Sequence, residues 1–186
     1  LWQGARQNTG PARPAGGDFV LNSAEGAVDT LALRGQVLLV YFGYTHCPDI
    51  CPASLAAGGQ ALNALTPDER SRVRLLMVSV DPFCNNTATT EIYTAFFHPA
   101  MTGVTGTPAQ IAKVARAYGA ACTPDFFGFN RGLDLQYRGR LDSSGRNPAT
   151  PATRRELVEA MRLIAATGEG PREQVASIGC SIKWRV

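Results

Sequence analysis

The feature that most constrains this chain is the stretch Gln36-Val-Leu-Leu-Val-Tyr-Phe-Gly-Tyr-Thr-His-Cys-Pro-Asp-Ile-Cys-Pro52, an apolar run that empties into two cysteines. Val37 to Phe42 is continuously apolar, β-branched or aromatic between Gly35 and Gly43, the pattern of a strand buried on both faces. A helix beginning near Pro48 places Cys47 at its N-terminus and Cys51 about one turn on, so that both sulfurs point to one spot. Unpaired N–H groups and the positive end of the helix dipole are expected to favour thiolate over thiol there. A soft-metal ligand or a redox nucleophile needs that environment; two buried cysteines acting as small hydrophobes, or a plain disulfide, are the bland alternatives.

Tyr41-Phe-Gly-Tyr-Thr-His-Cys-Pro-Asp-Ile-Cys-Pro52 resembles the signature of the Sco/SenC family, thioredoxin-fold copper-binding proteins that serve assembly of the copper centre of cytochrome c oxidase. The resemblance covers about residues 18–119 and takes in Val78-Ser-Val-Asp-Pro82, Tyr93 and Phe97-His98-Pro99. It implies an α/β, thioredoxin-like fold, a central mixed β-sheet flanked by helices and opened by an N-terminal β-hairpin. It also implies that Cys47 and Cys51 are copper ligands, completed by a histidine further along. The implied partner is a cytochrome c oxidase subunit or another copper or thiol-redox protein. The implied location is periplasmic or otherwise extracytoplasmic, with an N-terminal membrane anchor ahead of Leu1.

The chain departs from that family at two points: Phe83-Cys-Asn-Asn-Thr-Ala-Thr-Thr90 stands where a charged segment is expected, and the histidine expected ahead of the strand after Pro124 is missing. No histidine follows His98, and counting back from Asn130 puts Cys122 at the position of the family's histidine. Cys122 is then expected to face Cys47 and Cys51 beside Thr123-Pro124, which is similar to the cis-proline element of thioredoxin-like folds. Three thiolates favour Cu(I) over Cu(II), so Cu(I) is the expected form of copper. Thr123 and Pro124 shape the site in this reading, and Asp49 adjusts thiol acidity or partner contact without ligating.

From Thr123 onward, Thr123-Pro-Asp-Phe-Phe127, Tyr137-Arg-Gly-Arg-Leu-Asp142 and Ser177-Ile-Gly-Cys-Ser-Ile-Lys-Trp184 look instead like the peroxiredoxin-like branch of thioredoxin proteins. That supports a second reading, a thiol-disulfide oxidoreductase in which Cys47 attacks and Cys51 or Cys122 resolves. Three residues between Cys47 and Cys51, where the usual redox pair has two, favour the chelate. A disulfide-locked interaction module is the third reading.

The rest of the chain reads as scaffold. Residues 1–17 are a linker or tail rich in Gly, Pro, Arg and Gln; residues 18–186 are one thioredoxin-like domain with a C-terminal extension from about residue 169. Phe19 to Leu33 reads as the hairpin, turning at Glu25-Gly26. Leu55, Leu62 and Leu65 mark one face of a helix reaching about Leu65, with Gly58-Gly59 read as tolerated rather than required. Thr66-Pro-Asp-Glu69 and Thr107-Pro-Ala-Gln110 are capping boxes with proline at the first helical position. Val73 to Val80 is a second core strand, two further strands meet through Asn130-Arg-Gly132, and Thr150-Pro151 opens a last helix stopped by Gly168. Ile178, Ile182 and Trp184 are expected to pack the tail on the body.

Five cysteines leave at least one thiol outside any intramolecular pairing; Cys84 has no family role to inherit, and Cys180 reads as structural. His98, before Pro99, reads as structural, and His46 as an ordinary neighbour of Cys47. A net charge of +3 without a dense Lys/Arg run argues against a nucleic-acid groove or a polybasic membrane patch. No apolar run approaches the roughly 20 residues of a membrane-spanning helix, so membrane attachment is expected only through the anchor that the resemblance implies.

Overall fold

Residues 16–48, 50–145, 147 and 149–182 are described by the structure, a computed structural model. Asp49, Trp184 and residues 1–15 of the expected linker lie outside the described residues. The described chain opens with an antiparallel hairpin, β1 (Val20–Ser23) and β2 (Gly26–Asp29). The second strand does not run on to Leu33, as the sequence reading had it. Asp29 accepts a hydrogen bond from the Leu31 N–H at 2.9 Å and caps a 3-10 turn over Thr30–Leu33, which ends the strand. Asn22 and Thr105 exchange backbone hydrogen bonds of 2.8 and 2.9 Å, and Phe19 and Leu21 enter the core, so the hairpin covers one end of the main sheet.

That sheet is built on β3 (Val37–Gly43), buried along nearly its whole length. After it come α1 (Ile50–Asn63), α2 (Pro67–Ser71), β4 (Val73–Ser79), α3 (Thr87–Phe97), β5 (Met101–Val104) and α4 (Pro108–Tyr118). The remaining elements are β6 (Cys122–Thr123), β7 (Asp125–Phe129), β8 (Leu135–Gly139), α5 (Glu156–Thr167) and β9 (Cys180–Ser181). The main sheet runs β5-β4-β3-β7-β8. β3, β4 and β5 are parallel, as helical crossovers require, whereas β7 and β8 are antiparallel and joined by a short turn.

Side chains alternate across β3 and divide the core in two. Leu38, Val40 and Phe42 join Val78, Ile111, Tyr118 and Phe127 on one face. Tyr41 joins Cys47, Cys51, Met77, Phe126 and Tyr137 on the other. The period-two pattern therefore decides which face carries the cysteines.

Both capping boxes form, with Thr66 and Glu69 on α2 and Thr107 and Gln110 on α4, each cap being worth about 1 kcal/mol. Gly119 ends α4 in the left-handed region and Gly168 does the same for α5. α1 starts at Ile50 rather than Pro48 and ends at Asn63, short of Leu65. The last helix starts at Glu156, not Thr150, because Thr150 and Thr153 close a separate turn through a 2.7 Å hydrogen bond from the Thr150 N–H to Thr153 Oγ1. Gly59 is required rather than tolerated: a Cβ there would lie 2.7 Å from the Phe97 carbonyl oxygen, where α3 crosses α1.

The segment after Gly168 straps the outer edge of β8. Val175 O accepts from the Arg140 N–H at 3.0 Å, Gln174 Oε1 from the Arg138 N–H at 2.8 Å, and Gly139 O from the Ser177 hydroxyl at 2.7 Å. Beyond it β9 pairs antiparallel with β6, Thr123 opposite Cys180 and Cys122 opposite Ser181. Ile182 packs on the core as expected, but Ile178 does not, being 73% exposed. Among the described residues no helix is long and apolar enough to cross a membrane.

Candidate metal centre

The loop from Tyr44 to Pro48 carries the chain from β3 into α1 and holds Cys47; Cys51 is the second residue of the helix. Cys47 closes the loop by donating its N–H to Tyr44 O at 3.4 Å. Asn85, only 1% exposed, pins the loop from the side. Its Oδ1 accepts from the Thr45 N–H at 3.2 Å and from the Ser79 hydroxyl at 2.7 Å, while its Nδ2 donates to Thr45 Oγ1 at 2.7 Å. The sequence reading passed over Asn85, because it saw the stretch from Phe83 only as a departure from a family pattern. A lone asparagine between polar residues carries no periodic signal.

The two sulfurs come together in a buried nest, Cys47 being 6% exposed and Cys51 wholly covered. The Cys51 thiol donates to Cys47 Sγ, the Tyr44 N–H donates to Cys51 Sγ, and the Tyr44 hydroxyl donates to Cys47 Sγ. The Tyr41 hydroxyl lies within hydrogen-bonding reach of Cys51 Sγ, yet closes no hydrogen bond of full geometry. Tyr93, packed against the same cluster, brings a further buried hydroxyl without a partner, and burial raises its phenol. None of these tyrosines was singled out as a site residue from sequence, since an aromatic in an apolar strand reads as core.

The expectation that the helix terminus favours thiolate is overturned for Cys51. Burial pushes its thiol up to about 12, outweighing the nearby Tyr41 hydroxyl and the Tyr44 N–H, which pull the other way.

Cys122 does not join the pair. Its thiol faces the carbonyl oxygens of Pro124 and Ser177, at 3.7 and 3.8 Å. Burial, with Asp125 next, raises it to about 11. Among the described residues no three His, Cys, Asp or Glu side chains are grouped to hold a metal ion, so the expected Cys47, Cys51 and Cys122 trio is not assembled. The physical reason is the β6 to β9 ladder. It fixes Cys122 on the face opposite Thr123, and the cysteine that shares Thr123's face is Cys180. Burial raises the Tyr44 phenol, and negative charge on Cys47, Cys180 or Cys51 would raise it further.

The other candidates fall into place around this. The Thr123–Pro124 peptide is cis, Thr123 is buried, and Pro124 lines a groove of about 320 Å³ together with Ile50, Ser54, Arg140, Asp142 and Ser177. His98 is buried and structural, its Nδ1 accepting from the Ala100 N–H at 3.0 Å. His46 is exposed and bonds Thr45 Oγ1 at 3.0 Å. Cys84 is exposed.

A mixed sheet with a cis-proline strand beside two cysteines at the β3 to α1 turn defines a thioredoxin-like protein with a paired-thiol site. The pattern of the SCO1/SenC family matches residues 7–126, and the chain belongs to that family. It is 42% identical over 104 residues to the SCO2 homolog of Bos taurus mitochondria, which covers 55% of this chain and 39% of the relative. Against the SCO1 homolog 1 of Arabidopsis thaliana mitochondria it is 38% identical over 104 residues, 55% of this chain and 31% of the relative. The chain thus spans less than half the length of these curated relatives.

Among solved structures it is similar to copper-bound ScoI of Bradyrhizobium japonicum, with TM-score 0.64 and 32% identity, covering 68% of this chain and 89% of that one. A hypothetical protein from Sinorhizobium meliloti 1021 matches with TM-score 0.74 and 25% identity over 92% of this chain and 93% of that one. The longer match takes in the C-terminal half, where the family pattern has ended.

Proposed function

We propose that the protein is a Sco-like copper metallochaperone that binds Cu(I) through Cys47 and Cys51 and delivers it to a copper centre of cytochrome c oxidase. The carrying observation is the nest itself: two soft sulfurs in mutual hydrogen-bonding contact, shielded from water and served by hydrogen-bond donors. Soft thiolates select Cu(I), and a shielded site guards the cargo from stray ligands. Binding Cu(I) through two thiolates releases the thiol protons to solvent. In this reading Thr123 and Pro124 shape the site, and Asp49 adjusts thiol acidity or partner contact without ligating. The acceptor in this reading is a cytochrome c oxidase subunit or another copper or thiol-redox protein, met in the periplasm or a comparable extracytoplasmic space, with an N-terminal anchor as tether.

The test is anaerobic Cu(I) titration of the reduced protein against a competing chelator, beside Cys51→Ser. One tight equivalent that the variant loses supports the reading. Failure to take copper tightly, together with rapid reduction of a disulfide substrate, replaces it with the oxidoreductase, which the contact between the two thiols also favours.

A further inference from the structure

Tyr41 and Tyr44 bring hydroxyls to the two sulfurs and Tyr93 packs against the same cluster, and the hydroxyls of Tyr41 and Tyr93 are in an unfavourable state. The hydroxyls of Tyr41 and Tyr93 are buried and have no partner at full hydrogen-bond geometry. A buried donor without an acceptor destabilises a fold, and phenylalanine would fill the same apolar space without that cost. The rings are also locked. Tyr41 packs on Phe126 and Tyr93 on Phe97, each with centroids 5.2 Å apart. Gly43 makes the room: a Cβ there would lie 2.5 Å from Tyr41 Cε1 and 2.6 Å from its hydroxyl oxygen. The glycine that ends β3 thus keeps one phenol in place beside Cys51.

We propose that Tyr41, Tyr44 and Tyr93 form a phenol donor set for the sulfurs of Cys47 and Cys51, held ready for the anionic, copper-bound state. This rests on the reading of those cysteines as the copper ligands. A neutral thiol is a weak acceptor, which is why the Tyr41 hydroxyl approaches Cys51 without closing a bond. A thiolate accepts strongly, and once Cu(I) has displaced the thiol proton the waiting hydroxyls gain their acceptors. Two thiolates with one Cu(I) carry a net negative charge in a buried place. Phenols disperse that charge without adding a formal charge of their own. Donors to a ligating sulfur also withdraw electron density from it, which favours Cu(I) over Cu(II); hydrogen bonding around a cysteine sulfur tunes copper sites in this way.

The experiment uses Tyr41→Phe, Tyr93→Phe and the double variant, each in a Cys84→Ser, Cys122→Ser, Cys180→Ser background so that only the two site thiols report. Tyr118→Phe, whose hydroxyl bonds Gly17 O at 3.1 Å on the other face of the sheet, is the control. Cu(I) affinity is measured by chelator competition, and the alkylation rate of the metal-free thiols gives a second readout without metal. The double variant is expected to bind Cu(I) about 10–100-fold more weakly and to alkylate more slowly, with Tyr118→Phe unchanged. Folded variants that keep wild-type affinity and wild-type alkylation overturn the proposal. Slower alkylation in a protein whose parent takes no copper tightly leaves the donor set standing and removes the copper reading instead. Should Tyr41→Phe fail to fold, Tyr93→Phe and Tyr44→Phe, at half-buried positions, carry the same two measurements.

Discussion

Cys47 and Cys51 sit under tyrosines at the end of the most buried strand, whereas Cys122 and Cys180 sit on a two-residue ladder between β6 and β9. The first pair is placed by packing: β3, Phe126, Met77 and α1 enclose it, and Asn85 fixes its loop. The second pair is placed by a few backbone hydrogen bonds, and the pleat sends its two sulfurs to opposite faces. Equal numbers of thiols thus have unequal prospects. Where the core fixes the sulfurs they come together under a set of donors; where a short ladder fixes them they do not meet.

That contrast can be broken most directly at the cysteines. Cys51→Ser is expected to abolish the tight Cu(I) equivalent, while Cys122→Ser keeps it, both read by anaerobic chelator competition. Equal losses in the two variants would place Cys122 in the site after all.

Next in size is the pin. Asn85→Ala strands the Thr45 N–H and the buried Ser79 hydroxyl, a cost of about 1–3 kcal/mol for each group that stays unsatisfied. Urea unfolding should show the loss, with copper affinity falling because the Cys47 loop loosens.

On the ladder, Gly179→Ala drives a methyl into the Thr123 carbonyl and against Pro124 Cδ, a strain of about 1–3 kcal/mol if β9 stays in place. Two paired residues resist less than that, so β9 is expected to detach. The Ile182 amide, which donates to Ala121 O at 3.1 Å, should exchange faster in the variant, with copper affinity unchanged.

The smallest effect belongs to His98. Burial lowers it from the ordinary value of 6.5, so the folded protein binds this proton less tightly than the unfolded chain does. Its contribution to stability is present above pH 6.5 and is lost as the pH falls below that value. Protonation also takes Nδ1 away from the Ala100 N–H. The urea midpoint is expected to fall from pH 6.5 downward in the wild type and less steeply in His98→Gln.

The parts of the fold that were legible are those with a local physical signature. The apolar run of β3, the Thr-Pro capping boxes and the closing glycines of α4 and α5 each declare themselves within a few residues. β5 did not, because Met101-Thr-Gly-Val104 is short and becomes a strand only by lying beside β4. β9 did not either, since Cys180 and Ser181 have no strand character apart from their pairing with β6. That Cys47 and Cys51 come together was legible from spacing. Cys122 was misplaced because a linear count gives a position and says nothing of the face, which the β6 to β9 register decides. Tyr41, Tyr93 and Asn85 were invisible for a related reason: their partners lie on other elements, and a sequence shows a hydroxyl or an amide without what it faces.

The strap along β8 has a consequence for how this molecule behaves in a crowd. An unpaired sheet edge invites strands from neighbouring molecules, and here the Arg138 and Arg140 N–H groups are already taken by Gln174 and Val175. The segment after Gly168 therefore acts as a selvedge, finishing the weave on that side. Proteolysis near Gly170 would leave Cys47 and Cys51 untouched and yet turn a discrete molecule into one prone to stack edge to edge, so its solubility would fail before its chemistry.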